Sequence, residues 1–176
     1  STARDFAQRH GVSKTYASSE ELVADETIDA VYIATPPSSH KSLALLVANA
    51  GKHVYVEKPM AMRFDECREI VAACEKNGVR LYVAFYRRAR PRFLKVKEWL
   101  DAGRIGEIRS VRAVQHQPPA IEDLSRETLP WRLIPEVSGG GKFLDMGVHM
   151  LDMFDFWFGH IEDVYGIAGN QAGLYD

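Results

Sequence analysis

The chain has 176 residues, enough for one domain or for one domain and part of another. Its content of 46% hydrophobic and 26% charged residues is typical of a soluble globular protein, and no apolar run has the length of a membrane span. Because 22 basic residues nearly balance 24 acidic ones, charge gives no reason to expect nucleic acid or an anionic membrane as a partner.

The first half of the chain alternates amphipathic helices with short apolar strands. We predict strands over 28–34, 53–56 and 81–85, and helices over 1–10, 18–25, 40–50 and 65–77. This alternation predicts βαβ units with right-handed crossovers, and hence a parallel sheet with helices on its faces. Because the strands are apolar almost throughout, we expect them to be buried on both faces.

The pattern changes after Pro91, and we place a domain boundary near residue 90, giving domains 1–90 and 91–176. The second half is predicted to contain a helix, a half-exposed strand, a long loop, a second helix and a last strand, over 92–102, 107–117, 118–141, 144–158 and 161–168. The length of the loop suggests a functional segment rather than a connector.

The two cysteines, Cys67 and Cys74, fall on the apolar face of one predicted helix. Seven residues separate them by about 10 Å along the helix axis. A disulfide requires Cα atoms within about 7 Å. We therefore expect free, core-facing thiols and a cytoplasmic location.

Polar residues follow the three predicted strands of the first half, at the point where each strand ends. They are the segment from Thr35 to His40, then Glu57 with Lys58, and then Tyr86 with Arg87 and Arg88. Ligands of open α/β sheets bind outside the carboxyl ends of the strands, so Lys58 is placed to contact one. An equally open interpretation is that Glu57 and Lys58 are solvated turn residues.

Asp145 and His149 lie four residues apart on a predicted helix. A carboxylate beside a histidine can orient the ring, and a ring with an ordinary pKa of about 6.5 exchanges protons near neutral pH. The alternatives are a surface pair of little consequence and a metal site. Only two ligands are in sight, where zinc usually needs three or four, so we predict no metal.

Two further patterns leave alternatives open. The glycines 139–141 could form a phosphate cradle at a helix N-terminus, but a hinge or a close approach of the backbone to a ligand fits better, because the Walker spacing is missing. A basic run could bind nucleic acid or a phosphorylated ligand, although a solvated helical face is the commoner outcome. The run comprises Arg87, Arg88, Arg90, Arg92, Lys95 and Lys97.

Several short motifs occur together in a recognisable order. They are Thr35-Pro36-Pro37 with His40, Glu57-Lys58-Pro59, Arg104-Ile105-Gly106-Glu107-Ile108, Trp131-Arg132, Gly139-Gly140-Gly141, and Asp145-x-Gly147-x-His149. In this order and spacing the chain resembles the glucose–fructose oxidoreductase and inositol dehydrogenase family (Gfo/Idh/MocA), over nearly its whole length.

The resemblance implies a partial Rossmann-type domain followed by part of an α/β domain with a large open sheet. It also implies hydride transfer between NAD or NADP and a sugar, polyol or related hydroxyl substrate. Lys58 would hold and polarise the substrate, His149 would exchange the proton of the reacting hydroxyl, and Asp145 would lie beside it. Residues matching the cofactor-contact positions are Thr35, Pro36, Ser38, His40, Glu57, Lys58, Arg88, Trp131 and Arg132.

The chain departs from the family pattern at both ends. The family's opening strand and GxGxxG turn do not occur in the sequence, and the chain stops after about two strands of the second domain. We interpret it as a fragment, or an incompletely represented chain, of an NAD(P)-dependent dehydrogenase that self-associates. The alternative is a catalytically silent binding or assembly module, because the turn that grips the pyrophosphate is absent.

Overall fold

A computed structural model describes residues 2–169 of the chain. Residue 1, in the first predicted helix, and residues 170–176, in the second predicted domain, lie outside the described residues. Of the helices among residues 2–169, none has the length and apolar character needed to cross a bilayer.

The helices and strands predicted before residue 102 are all present, with similar bounds. The strands are β1 Ala30–Ile33, β2 His53–Val56 and β3 Leu81–Val83. The α-helices are α1 Thr2–His10, α2 Ser19–Ala24, α3 His40–Asn49, α4 Phe64–Lys76, α5 Pro91–Asp101, α6 Pro135–Ser138 and α7 Val148–Phe158. Tighter 3₁₀ turns occupy Pro37–Ser39, Tyr86–Ala89, Ile121–Leu124 and Trp131–Leu133, and a wider π-type turn occupies Phe143–Gly147.

The three strands form one parallel sheet in the order β1–β2–β3. Helix α3 connects β1 to β2, and α4 connects β2 to β3, which is the predicted βαβ arrangement. Val54 and Val56 of β2 are completely buried in a core that also contains Ala44 of α3 and Ile70 of α4. The predicted α/β class with a Rossmann-type parallel sheet is therefore confirmed.

The strands are buried on one face only, so the prediction that both faces are buried is wrong. Tyr32, Tyr55 and Tyr82 lie side by side in register on the other face, each between 41% and 52% exposed. Successive right-handed crossovers in one direction place α3 and α4 on the same side of the sheet. Within residues 2–169 no helix covers the tyrosines, and the strands alternate valine or isoleucine inward with tyrosine outward.

The strands predicted over 107–117 and 161–168 are wrong for this structure. A β-strand is stabilised by hydrogen bonds to a neighbouring strand, and neither segment forms such a ladder within the described part of the chain. Residues 111–115 instead face the apolar side of α7 across a groove. The open sheet expected for the second half is therefore not formed by the described residues.

Helix α7 is fixed against α5 near its C-terminal end. The indole Nε1 of Trp157 donates a hydrogen bond of 3.1 Å to the backbone oxygen of Phe93 in α5, and the two rings lie 5.8 Å apart. The predicted helix over 144–158 is thus present, except that it begins with the π-type turn. This packing brings the start of α7 to the carboxyl ends of the strands.

Candidate active site

A cleft of about 370 Å³ lies at the carboxyl ends of the parallel strands. Thr35, Lys58 and Tyr86, which follow β1, β2 and β3, line one side of the cleft, and Asp145 and His149 line the other. The remaining lining residues are Ala34, Pro37, Glu57, Trp131, Arg132 and Met146. The prediction that three strand exits bring polar groups to one rim is confirmed.

Lys58 is held by Asp145 from the other half of the chain. Its Nζ donates hydrogen bonds to Asp145 Oδ1 at 2.6 Å and to the Asp145 backbone oxygen at 2.7 Å. The Lys58 side chain is only 14% exposed. Lys58 is therefore a fixed cation within the cleft, and the alternative of a solvated turn residue does not hold.

Glu57 supports the same strand exit. Its carboxylate accepts a hydrogen bond from the backbone N–H of Lys58 at 3.1 Å and another from the hydroxyl of Tyr32. The bond to Glu57 raises the pKa of Tyr32 to about 12, so this hydroxyl keeps its proton. Glu57 thus lines the cleft and also fixes the backbone that carries Lys58.

His149 lies at the start of α7 and is only 3% exposed. Its ring meets the rings of Tyr86 and Phe85 edge-on, at centroid distances of 5.3 Å and 6.2 Å. The Nδ1 atom is buried and has no hydrogen-bond partner among the described residues. The ring is therefore packed by the residues that follow β3.

The environment of His149 favours a neutral ring. Burial lowers the pKa of His149 to about 4, and the positive charges of Lys58 and Arg87 act in the same direction. The negative charges of Asp145 and Glu57 oppose this shift without cancelling it. At neutral pH the imidazole therefore carries no charge and can accept a proton.

The structure brings Asp145 and His149 to one cleft but not into a hydrogen bond with each other. The Asp145 carboxylate bonds Lys58 and faces Arg132, with 3.5 Å between Arg132 Nε and Asp145 Oδ2. Asp145 belongs to the π-type turn, whereas His149 belongs to α7. A wider turn rotates residues four apart away from the shared face that a regular α-helix would give them.

Asp152, one turn beyond His149 on α7, was not among the residues predicted from the sequence. Its Oδ1 accepts a hydrogen bond of 2.8 Å from Arg88 Nε, while its Oδ2 is buried without a partner. Burial raises the pKa of Asp152. Residues three apart are neighbours on an α-helix, so this spacing from His149 could have identified Asp152.

Arg88 does not line the cleft. Its guanidinium forms ion pairs with Asp152 and Asp155, at 2.8 Å and 2.9 Å, and lies over the ring of Phe156. Elsewhere in the basic run, Lys95 and Lys97 pair with acidic side chains of α5. These surface pairs fit the solvated helical face that was one of the two alternatives for the run.

The residues predicted after β1 divide into two groups. Thr35 lines the cleft, whereas Pro36 and Ser38 are exposed and lie outside its lining. His40 is buried, with its ring between two backbone oxygens of the chain rather than in the cleft. Of the four residues predicted there, the structure therefore brings Thr35, and not Pro36, Ser38 or His40, to the candidate site.

Trp131 and Arg132 of the long loop line the cleft. The Arg132 guanidinium lies 4.4 Å from the centroid of the Trp131 ring. Asp123 within the loop forms an ion pair of 2.6 Å with Lys142, which directly follows the loop. This pair fixes the loop against the residues that lead into α7. Asp123 is nearly fully buried there.

The glycine triplet allows a close approach between two parts of the chain. Gly139 ends α6 with a φ of 85°, and a Cβ at this position would lie 3.1 Å from Met62. The approach is therefore to a side chain of the protein, and the backbone N–H of Gly141 donates to Ser138 Oγ at 3.1 Å. The structure thus shows a contact within the protein, and the phosphate cradle, the hinge and the close approach to a ligand all stay predictions.

Cys67 and Cys74 are both free, and Cys74 belongs to the core. Burial raises the pKa of both thiols, which makes them poor nucleophiles. The prediction that the two thiols do not pair is confirmed. Within residues 2–169, no group of three or more histidine, cysteine, aspartate or glutamate side chains is arranged to hold a metal ion.

Comparison with known proteins gives matches for both halves of the chain. The family model described as "Oxidoreductase family, NAD-binding Rossmann fold" matches residues 1–85, and the one described as "GFO/IDH/MocA C-terminal domain" matches residues 93–175. Oxidoreductase P35 of Formosa agariphila is 42% identical over 160 residues, which are 91% of this chain and 50% of that protein.

Two further relatives are named for the compounds on which they act. 1,5-Anhydro-D-fructose reductase of Ensifer adhaerens is 35% identical over 153 residues, which are 86% of this chain and 44% of that protein. A solved structure of levoglucosan dehydrogenase in complex with NADH and levoglucosan has a TM-score of 0.76 at 26% identity, covering 90% of this chain and 42% of that one. The chain spans about half the length of the curated relatives that it matches. Because both halves match one family and the sheet is of the Rossmann type, the chain belongs to the Gfo/Idh/MocA oxidoreductase family.

Proposed function

We propose that the intact protein transfers a hydride between NAD or NADP and a carbon of a sugar, polyol or related hydroxyl substrate. The observation that carries the proposal is the meeting of Lys58 and His149, from the two halves of the chain, in one cleft. The relatives named for 1,5-anhydro-D-fructose and levoglucosan, both sugar derivatives, support the substrate class.

The cleft fits the nicotinamide end of such a cofactor. It lies where α/β sheets bind nucleotides, and it offers the polar side chains of Thr35 and Glu57 together with the flat ring of Trp131. When bound, the cofactor supplies the hydride acceptor or donor. The sequence contains no GxGxxG turn, the segment that binds the pyrophosphate. The proposed cofactor is either NAD or NADP.

The side chains of the cleft can perform the proton chemistry that accompanies hydride transfer. An alcohol that loses a hydride from carbon must also lose the proton of its hydroxyl group. Neutral His149 can accept that proton through Nε2, because Nδ1 is enclosed. The Lys58 ammonium, oriented by Asp145, can hold the hydroxyl oxygen and stabilise the negative charge that develops on it.

Turnover assays on the intact protein test this proposal. NAD and NADP are each combined with an anhydrosugar, an aldose, an inositol and a linear polyol, and nicotinamide absorbance is followed. We expect reduction of the cofactor with at least one sugar-like compound, and loss of this activity in Lys58→Met. A folded protein that reduces neither cofactor with any of these compounds would contradict the proposal.

The second candidate function is a binding or assembly module without catalysis. Fluorescence titration with NADH and NADPH separates the two functions. Binding with quenched or shifted nicotinamide fluorescence supports the enzyme, whereas no binding at millimolar concentrations supports the module.

Three further features belong to the proposal. The division into domains 1–90 and 91–176 is supported by two family models that match on either side of residue 90. The two free cysteines support a cytoplasmic location.

Self-association is supported by exposed apolar side chains in the segment after α5, namely Ile105, Ile108, Val111 and Val114. Light scattering on the intact protein tests the last feature, and a monomer would refute it.

A further inference from the structure

His40 connects two of the strand exits that form the cleft. Its Nε2 lies 2.8 Å from the backbone oxygen of Thr35, after β1, and its Nδ1 lies 2.8 Å from the backbone oxygen of Pro59, after β2. The side chain is 1% exposed at the start of α3. The ring therefore bridges the backbone segment that follows β1 and the one that follows β2.

One of these segments carries the amine of the candidate site. Pro59 directly follows Lys58, whose Nζ reaches Asp145. The other segment carries Thr35, which lines the cleft beside Lys58. A shift of Pro59 relative to Thr35 would move the backbone from which the Lys58 side chain extends, and with it the amine.

We propose that His40 is a positioning residue, which sets the location of the Lys58 amine through Pro59 and does not itself contact the cofactor. The expected fall in turnover rests on the proposed function. The expected displacement of the Lys58 amine does not depend on it. Misplacement of a reacting group by about 1 Å can cost on the order of 10²-fold in rate. Loss of the bridge should therefore lower turnover without weakening cofactor binding.

Because both oxygens are acceptors, a neutral ring donates to one of them at a time, and the two contacts can be removed separately. In His40→Asn the side-chain nitrogen occupies about the place of Nδ1, so the bond to Pro59 is kept. In His40→Gln it occupies about the place of Nε2, so the bond to Thr35 is kept. His40→Phe removes both bonds but retains the ring. We expect turnover to fall least in His40→Asn, more in His40→Gln and most, by about 10-fold to 100-fold, in His40→Phe.

Lys52 provides a matched control at the other end of β2. Its side chain is also buried, and its Nζ donates to two backbone oxygens, those of Asp25 and Ile28, at 2.8 Å and 2.7 Å. Lys52→Met therefore removes a bridge of the same kind far from the cleft. We expect it to lower the melting temperature while turnover per folded molecule stays at the wild-type level.

Acylation of Lys58 by a water-soluble amine reagent, followed by peptide mapping, gives a readout that needs no enzyme activity. His40→Phe should change the acylation rate of Lys58 several-fold, whereas Lys52→Met should leave it unchanged. If the wild type lacks dehydrogenase activity, the proposed function fails. The acylation rate of Lys58 still tests whether His40 positions its amine. An unchanged acylation rate in both His40→Phe and His40→Gln would overturn the proposal.

Cofactor titration distinguishes positioning from direct contact. We expect the Kd for NADH to stay within about two-fold of the wild type in His40→Asn and His40→Gln, which is a small effect on this scale. A Kd that rises about 10-fold while turnover at saturating cofactor is unchanged would show that His40 contacts the cofactor, and would also overturn the proposal.

Discussion

The amine of Lys58 and the carboxylate of Asp145 meet across the two halves of the chain, with 2.6 Å between Nζ and Oδ1. The same amine donates to the backbone oxygen of Asp145 at 2.7 Å, so both the charge and the main chain of the π-type turn fix its position. Hydrogen bonds that involve charged groups are roughly twice as strong as neutral ones. This contact joins the strand exit after β2 to the segment that leads into α7.

Replacing Lys58 with methionine tests the role of its charge. We expect turnover to fall by about 10²-fold or more, because the variant cannot hold and polarise the substrate hydroxyl. Lys41→Met is the control, since Lys41 lies on α3 and pairs with Glu69 at the surface. Steady-state kinetics at saturating cofactor provides the measurement. Equal turnover in Lys58→Met and the wild type would remove Lys58 from the mechanism.

Asp152 should act on His149 without contacting the substrate. Asp152 Oδ2 and His149 Nδ1 are both buried and have no hydrogen-bond partner among the described residues. The two residues are neighbours on one face of α7. We expect Asp152→Asn to lower kcat by about 10-fold and to shift the pH profile, because it changes a buried polar group one helical turn from the His149 ring, although the two side chains form no hydrogen bond. The KM for the substrate should stay the same.

Asp155→Asn is the matched control for Asp152→Asn. Asp155 also pairs with Arg88, at 2.9 Å, but its side chain is 45% exposed. Asp155→Asn should therefore leave kcat and the pH profile at their wild-type values. If both variants lower kcat equally, the loss of the Arg88 ion pairs, and not the position next to His149, explains the effect.

The stability of the protein should fall as the pH decreases from about 6.5 to about 4. The pKa of His149 is lowered from 6.5 to about 4 in the folded protein, so the unfolded chain binds a proton in this window and the folded chain does not. The stabilisation by neutral His149 is fully present above the unfolded pKa and is lost as the pH falls toward the folded pKa. A shift of this size corresponds to about 3 kcal/mol.

Urea unfolding at several pH values measures this effect. His149→Phe should flatten the decrease in unfolding free energy, because phenylalanine keeps the ring packing against Tyr86 and does not titrate. His116→Gln is the control at an exposed histidine and should retain the wild-type slope. A slope in His149→Phe equal to that of the wild type would contradict the buried, neutral imidazole.

Arg88→Met should reduce stability rather than cofactor affinity. Removal of the guanidinium leaves Asp152, whose side chain is 7% exposed, as a buried carboxylate without a counterion. We expect a loss of about 2 kcal/mol, less than for a fully buried pair because Arg88 is 41% exposed. Arg63→Met, which removes an exposed pair with Asp65, should change stability little. Unchanged stability together with weaker NADH binding would instead support Arg88 as a cofactor contact.

The sequence by itself determined the βαβ units and the position of Lys58. Apolar periodicity and capping residues are local signals, so α3, α4 and the three strands could be predicted with nearly their observed bounds. The parallel arrangement followed from the connections, because a helix between two strands requires a crossover. For the same reason, the polar exits of the strands could be assigned to one rim.

Only the tertiary structure decided which of the candidate residues face the cleft. Arg88, His40 and Ser38 are close in sequence to cleft residues, but ion pairs, a buried bridge and exposure direct them elsewhere. The partnership of Lys58 with Asp145, and not of Asp145 with His149, depends on how α7 packs against α5. Such contacts join residues distant along the chain, and local sequence patterns carry no information about them. The exposed tyrosine face and the unpaired segments 107–117 and 161–168 were missed for the same reason, because burial and strand pairing depend on which neighbours are present.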